Sequence, residues 1–178
     1  KNRQVVFMAK TCRAEYPLEF FATLPDRGYE SVVITEVLPS IVHAALLGIG
    51  AKNGHPARFQ PDYEPPTGTP IAVEVRWKDK DGKVQKAPAQ QWIRNIKTKK
   101  PMDVDWVFAG SAFGKNPETG KEVYLADHGE FIAVLNLPIA MLDVPMRSVS
   151  AMESRSFEGF VENMPPKGTP VTVVMTPK

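Results

Sequence analysis

Glu30, Ser31 and His43 have side chains that, brought together, can hydrolyse an ester or amide. A histidine within reach of a serine hydroxyl acts as its general base, and a carboxylate orients the imidazole. Ser31 opens a β-branched, apolar run and His43 lies inside the apolar stretch 41–51, so the three would meet where a strand runs into a helix. His55, just past a glycine-rich exit, is a fourth polar side chain able to bind a ligand. A lone histidine on an apolar helix is more often a hydrogen-bonded packing residue than a catalyst. With no complete catalytic set around it, the group Glu30, Ser31, His43 and His55 reads first as a binding set.

Other chemistry-bearing residues fall short of a defined site. Asp127, His128 and Glu130 are three potential ligands within four residues, but they lack a helical or strand spacing, and loop polarity explains them. No metal site is assigned to them. Asp79-Lys80-Asp81-Gly82 resembles the start of a calcium loop, yet Lys83 stands at the fifth position and Gln90 at the twelfth, where oxygen ligands are needed. It reads as a hairpin turn. Gly110-Ser111-Ala112-Phe113-Gly114 lacks the Gly-x-Ser-x-Gly spacing of a nucleophile elbow. Cys12 is the one cysteine, so neither an intrachain disulfide nor a thiolate-held cluster is available, and no cofactor is expected. Trp77, Trp92 and Trp106 read as core positions.

Charge is polarised along the chain although the net value is only +2. Residues 76–100 carry nine basic and two acidic side chains, and residues 101–143 carry two basic and seven acidic ones. The basic segment has no nucleic-acid motif. It suits an envelope protein or an anionic polymer as partner. The longest apolar run, 41–51, is half the roughly twenty residues a spanning helix needs. A first residue of Lys, with no apolar leader before Val5, leads us to expect an extracytoplasmic mature portion whose targeting segment has been removed, with a lipid anchor allowed for upstream.

The elements that must position these residues are mostly strands. The chain has 178 residues, 17 of them proline, where a usual frequency of about 5% would give roughly nine. That excess argues against an all-helical fold, and a hydrophobic fraction of 43% argues against disorder. Residues 4–9, 18–22, 31–37, 71–77, 103–109 and 171–175 read as strands, and residues 122–125 are expected to pair antiparallel with 130–135. One clear helix is expected over about 40–50, capped by Ser40 and packed through Ile41, Ala44, Ala45 and Leu47. Short helical segments are expected at 89–97 and 138–142. The fold class is therefore α+β, mainly antiparallel β with one clear helix, in a single domain over 1–178. Residues 52–70 read as a long ordered loop anchored by Phe59 and Tyr63. Pro65-Pro66-Thr67-Gly68-Thr69-Pro70 is echoed by Pro165-Pro166-Lys167-Gly168-Thr169-Pro170, each copy leading into a strand. Convergent turn chemistry explains this echo more simply than duplication.

Several of these stretches together resemble one family. Cys12 to Phe21 (Cys-Arg-Ala-Glu-Tyr-Pro-Leu-Glu-Phe-Phe), Glu30-Ser31-Val32-Val33, Val42-His43-Ala44-Ala45-Leu46-Leu47, Pro65-Pro66-Thr67-Gly68-Thr69, Trp106-Val107-Phe108-Ala109-Gly110-Ser111 and Asn116-Pro117-Glu118-Thr119-Gly120 are similar to the YdjY-domain family. The resemblance spans nearly the whole chain. It implies a bacterial, envelope-associated or lipoprotein-like protein and one domain, and it carries no catalytic residues to transfer. Some relatives are labelled ferredoxin-like, which the single cysteine makes untenable here. The family pattern has a second Cys where Thr23 stands and a His where Tyr29 stands, so a paired-thiol or His-Glu-Ser site of the family would be missing from this member. The function is unknown. The favoured expectation is a non-catalytic binding or protein-interaction domain of the bacterial cell envelope, engaging its partner through residues 76–100. The alternative is a hydrolase-type enzyme using Glu30, Ser31 and His43.

Overall fold

The computed structural model describes residues 3–12, 17–148 and 157–178. In chain order its elements are β1 (Val5–Thr11), β2 (Phe20–Thr23), β3 (Ser31–Ile34), α1 (Pro39–Gly48), β4 (Pro70–Lys78), β5 (Val84–Pro88), β6 (Ile93–Asn95), β7 (Trp106–Phe108), β8 (Phe113–Lys115), β9 (Glu122–Tyr124), β10 (Ile132–Ala133), β11 (Leu142–Asp143), β12 (Phe157–Gly159) and β13 (Pro170–Pro177). Eight strands follow one another around a ring in the order β13, β1, β3, β2, β10, β11, β7, β4, and the β4–β13 pairing closes it. β5 hangs on β4 as a ninth strand outside the ring.

The fold class is thus mainly β, a closed eight-strand barrel with about 16% helix, and the α+β expectation is corrected. One ten-residue helix builds no second layer. The ring is also not purely antiparallel, because β2–β3 and β10–β11 run parallel. Closure was not visible as periodicity because β7, β10 and β11 are only two or three residues long. The helical segment expected at 89–97 is a single tight turn followed by β6, and the segment at 138–142 runs into β11. Residues 122–125 pair not with 130–135 but with β8, across the Asn116–Gly120 turn.

Strand alternation fills the barrel. Val5, Phe7 and Ala9 of β1, Val171, Val173 and Met175 of β13, and Ile71, Val73 and Val75 of β4 point inward and are buried, while Val6, Met8 and Lys10 point out. Phe7 stacks on Phe131 at 5.2 Å and Phe21 leans on Trp106 at 5.7 Å. The Trp106 indole donates to the Ala133 carbonyl at 2.7 Å, so its one polar atom is satisfied inside the core.

α1 packs against this core through Val42 and Leu46, one turn apart, and leaves Ile41 and Leu47 exposed. Of the packing face expected from Ile41, Ala44, Ala45 and Leu47, Ala45 does lie against the core, and the other three, which are exposed, are corrected. A segment apolar on all sides gives periodicity no preferred face. Ser40 is not the cap. It lies inside the first turn, after Pro39, and its backbone N–H donates to Asp127 Oδ1 at 2.8 Å, so a carboxylate distant in sequence takes the free amide and sits at the positive end of the helix. Among the described residues, no helix is long and apolar enough to cross a membrane.

The loop 52–70 is tied down at several points. Arg58 and Glu64 exchange both backbone hydrogen bonds, and the Tyr63 hydroxyl donates to Asn136 Oδ1 at 2.8 Å. Asn136 Nδ2 in turn donates to the fully buried Asp143 at 3.1 Å and to the Val144 carbonyl at 2.8 Å.

Candidate binding face

Each residue of the polar set expected to bind is engaged with a different partner. Ser31 Oγ is buried and lies 2.8 Å from the Val33 carbonyl and 3.2 Å from that of Phe21. Glu30, also buried, takes the Arg27 guanidinium at 3.2 Å. His43 Nδ1 lies 2.8 Å from the Tyr124 hydroxyl, and its ring meets Phe108 edge-on. Because the Tyr124 hydroxyl donates to the Gly110 carbonyl at 3.0 Å, its oxygen is the acceptor and His43 Nδ1 carries the proton. Burial pulls the imidazole below its ordinary value, and burial pushes the Tyr124 phenol above its own. No hydrogen bond joins His43 to Glu30 or Ser31 among the described residues. His55 lies apart from all three. Its Nδ1 donates to the Pro56 carbonyl at 2.9 Å, and it lines an open 590 Å³ groove with Phe59, Ser111 and Pro138.

The loop residues Asp127, His128 and Glu130 are likewise drawn apart. Asp127 caps α1, while Glu130 joins Glu19 and Glu30 around one cation, Arg27, at 2.6, 3.2 and 3.2 Å. Arg27 also lies over the Phe20 ring at 4.6 Å. Reading the chain residue by residue missed this cluster, since its members come from three separate segments. Cys12 is buried, and burial pushes its thiol up while Lys167 opposes the shift.

The basic segment, by contrast, assembles a surface. The register places Arg76 opposite Lys86 and Lys78 opposite Val84, and on the other edge of β4 it places Arg76 opposite Thr172. Inward residues of this pair are Val75 and Trp77, so Arg76, Lys78, Val84 and Lys86 share the outer face. Thr172 stands opposite Met8, and Lys10 stands opposite Pro170, which extends the same face across β13 to β1. The result is a patch four strands wide, carrying the cations Lys10, Arg76, Lys78 and Lys86. Exposed Val6, Met8 and Val84 are interspersed among them. Arg76 is paired with Glu74 at 2.6 Å, and the three lysines have no carboxylate partner among the described residues. The turn beyond is built by Asp79, whose carboxylate accepts from the Asp81 and Lys83 amides and from Gln85, which holds it below the usual carboxylate range.

Only the first half of residues 76–100 belongs to this face. Arg94 pairs with Glu158 and Glu162 at 2.9 and 3.1 Å, and Lys99 also reaches Glu158, so two of the four cations of the second half are neutralised at the small β6–β12 sheet, away from the barrel face. Lys10 was not foreseen in the set. It is a single charge in a strand read for its inward alternation, and its placement depends on the β1–β13 pairing.

A family model described as the YdjY domain matches residues 18–176. No curated protein and no solved structure matches the chain.

Proposed function

The chain belongs to the YdjY-domain family, and from that premise we propose that it is a non-catalytic binding domain of the bacterial cell envelope whose cationic barrel face takes an anionic partner. One observation carries the reading: Lys10, Lys78 and Lys86 reach the same outer face from three strands, with Arg76 among them and Glu74 already engaged by Arg76. Like charges held close on a rigid sheet repel one another, and a polyanion relieves that repulsion over several contacts at once. The envelope location rests on the family resemblance.

The test uses dextran sulfate as a non-peptide polyanion and follows its binding as salt is raised. Affinity should fall steeply as the screening length shortens toward about 8 Å at physiological ionic strength. Replacing Lys10, Lys78 and Lys86 together by Gln should lower the affinity far more than replacing Lys97, Lys99 and Lys100, which removes the same charge elsewhere. Salt-insensitive binding, or equal losses in the two triple variants, overturns the assignment.

A further inference from the structure

Within the nine-stranded sheet β5 has one neighbour, β4, so among the described residues its outer edge is open. The hydrogen-bond phase of this edge follows from the turn. Asp79 N donates to Lys83 O at 3.0 Å, which makes 79 and 83 a hydrogen-bonded pair. Pairs alternate in an antiparallel ladder, so Trp77–Gln85 and Val75–Ala87 are bonded as well. Val84, Lys86 and Pro88 therefore direct their backbone groups away from β4. The edge offers the N–H and carbonyl groups of Val84 and Lys86, while the Pro88 carbonyl opens the tight turn Ala89–Trp92. The side chains of the same residues lie on the cationic outer face, where Val84 is 63% exposed and Lys78 stands opposite it.

We propose that the β5 edge takes an extended acidic segment of a partner polypeptide as an added strand. The proposal rests on the anion-binding reading above and names the partner's chemistry. Main-chain hydrogen bonds would supply the docking, with alternate side chains of the added strand lying beside Val84 and Lys86. A carboxylate beside Lys86 and an apolar group beside Val84 complement what this edge shows. A second copy of β5 does not fit, because it would bring another Lys86 onto the same lysine-rich face, and like charges across a pair are destabilising. Pro88, which has no N–H, limits pairing at the far end.

The experiment uses the whole chain and a labelled nonapeptide, Glu-Thr-Val-Thr-Glu-Thr-Val-Thr-Glu, which presents Glu and Val in turn along one face, with dextran sulfate as the second probe. Lys86→Gln should weaken both probes. Lys86→Pro removes in addition one outward N–H that the barrel does not use, and should weaken the peptide by about a further tenfold while leaving dextran sulfate as in Lys86→Gln. Against the unaltered protein, a peptide N-methylated at alternate residues should lose binding in one of its two phases only. Hydrogen exchange at the Val84 and Lys86 amides should slow when the peptide is bound. If Lys86→Pro and Lys86→Gln bind the peptide alike, or neither N-methylated phase matters, strand addition is wrong and the face acts through charge alone. If dextran sulfate also fails to bind, the anion-binding reading itself falls.

Discussion

Glu74 and Val174, each four residues past the last proline of a Pro-Pro-x-Gly-Thr-Pro motif, stand directly opposite one another across the β4–β13 pair. The two motifs consequently lie at opposite ends of the pairing that closes the barrel. At each end the motif's threonine carbonyl accepts from a flanking strand: Thr69 O from Phe108 N at 2.9 Å, and Thr169 O from Thr11 N at 3.1 Å. The repeated motif fastens both ends of the closing pair to its neighbours, and the missing proline N–H falls where the chain first joins the sheet.

The two copies differ in how tightly the glycine is held, which gives a paired prediction. Gly168 has φ +84 with open space where a Cβ would stand, whereas Gly68 has φ +139 and a Cβ there would collide with the Phe108 carbonyl oxygen. Gly168→Ala should cost about 1–2 kcal/mol, the strain of a left-handed alanine. Gly68→Ala adds a backbone clash and should cost at least about 3 kcal/mol. Urea unfolding of the two variants checks this, and equal losses would show that the closing pair does not depend on the Gly68 approach.

Arg27 supplies a second prediction. Its guanidinium is only 25% exposed and serves Glu19, Glu30 and Glu130, each less exposed still. Arg27→Met leaves three carboxylates facing one another with their cation gone, and should destabilise the protein by about 3 kcal/mol. Arg27→Lys should recover part of the loss, since one ammonium cannot span three carboxylates as a planar fork does. A Met variant within about 0.5 kcal/mol of the original would refute the role assigned to this cation.

Much of the barrel wall was legible in the chain because alternation is local. Val5-Phe7-Ala9 and Ile71-Val73-Val75 announce both a strand and its inward face. Closure was not legible, since it depends on two-residue strands such as Ile132–Ala133 and on a parallel β2–β3 pair joined by the tight turn Pro25–Glu30. The basic segment pointed to Arg76, Lys78 and Lys86, while only the three-dimensional register adds Lys10 and only the β6–β12 pairing shows Arg94 and Lys99 to be neutralised. Glu30, Ser31 and His43 looked convergent because they are close in sequence. In the fold the first belongs to Arg27, the second to the backbone of its own strand and its neighbour, and the third to Tyr124.

The His43–Tyr124 contact predicts a pH effect. His43 has a folded value below its unfolded one, so the unfolded chain takes up the proton first as pH falls. The contribution is complete above about pH 6.5 and is lost as pH drops below it, with a slope under about 1.4 kcal/mol per unit because the ring is partly solvated. An NMR titration of the imidazole should give a midpoint below that of a model peptide. A midpoint at or above it would contradict the burial argument. Tyr124→Phe should destabilise by about 1 kcal/mol, because it strands the His43 Nδ1–H and the Gly110 carbonyl.

Asp143 acts in the opposite direction. It is fully buried, and burial pushes its carboxyl up to about 7 even though the amides of Val144, Leu137 and Ala57 and the Asn136 side chain pull it down. The folded value exceeds the unfolded 3.8, so the folded state holds its proton longer. Stability from this group is complete below the unfolded value, declines as pH rises from about 4 toward about 7, and is flat beyond. Asp143→Asn removes that dependence, because an amide does not titrate. It also turns an NH₂ toward N–H donors that the carboxyl oxygens had accepted, which should cost about 2–3 kcal/mol and loosen the loop 52–70 at Ala57. The measurement is the difference in unfolding free energy between the two proteins across pH 4 to 8, which cancels the contribution of His43. A difference that stays constant with pH would mean that Asp143 titrates at its ordinary value, and that its four hydrogen bonds offset its burial in full.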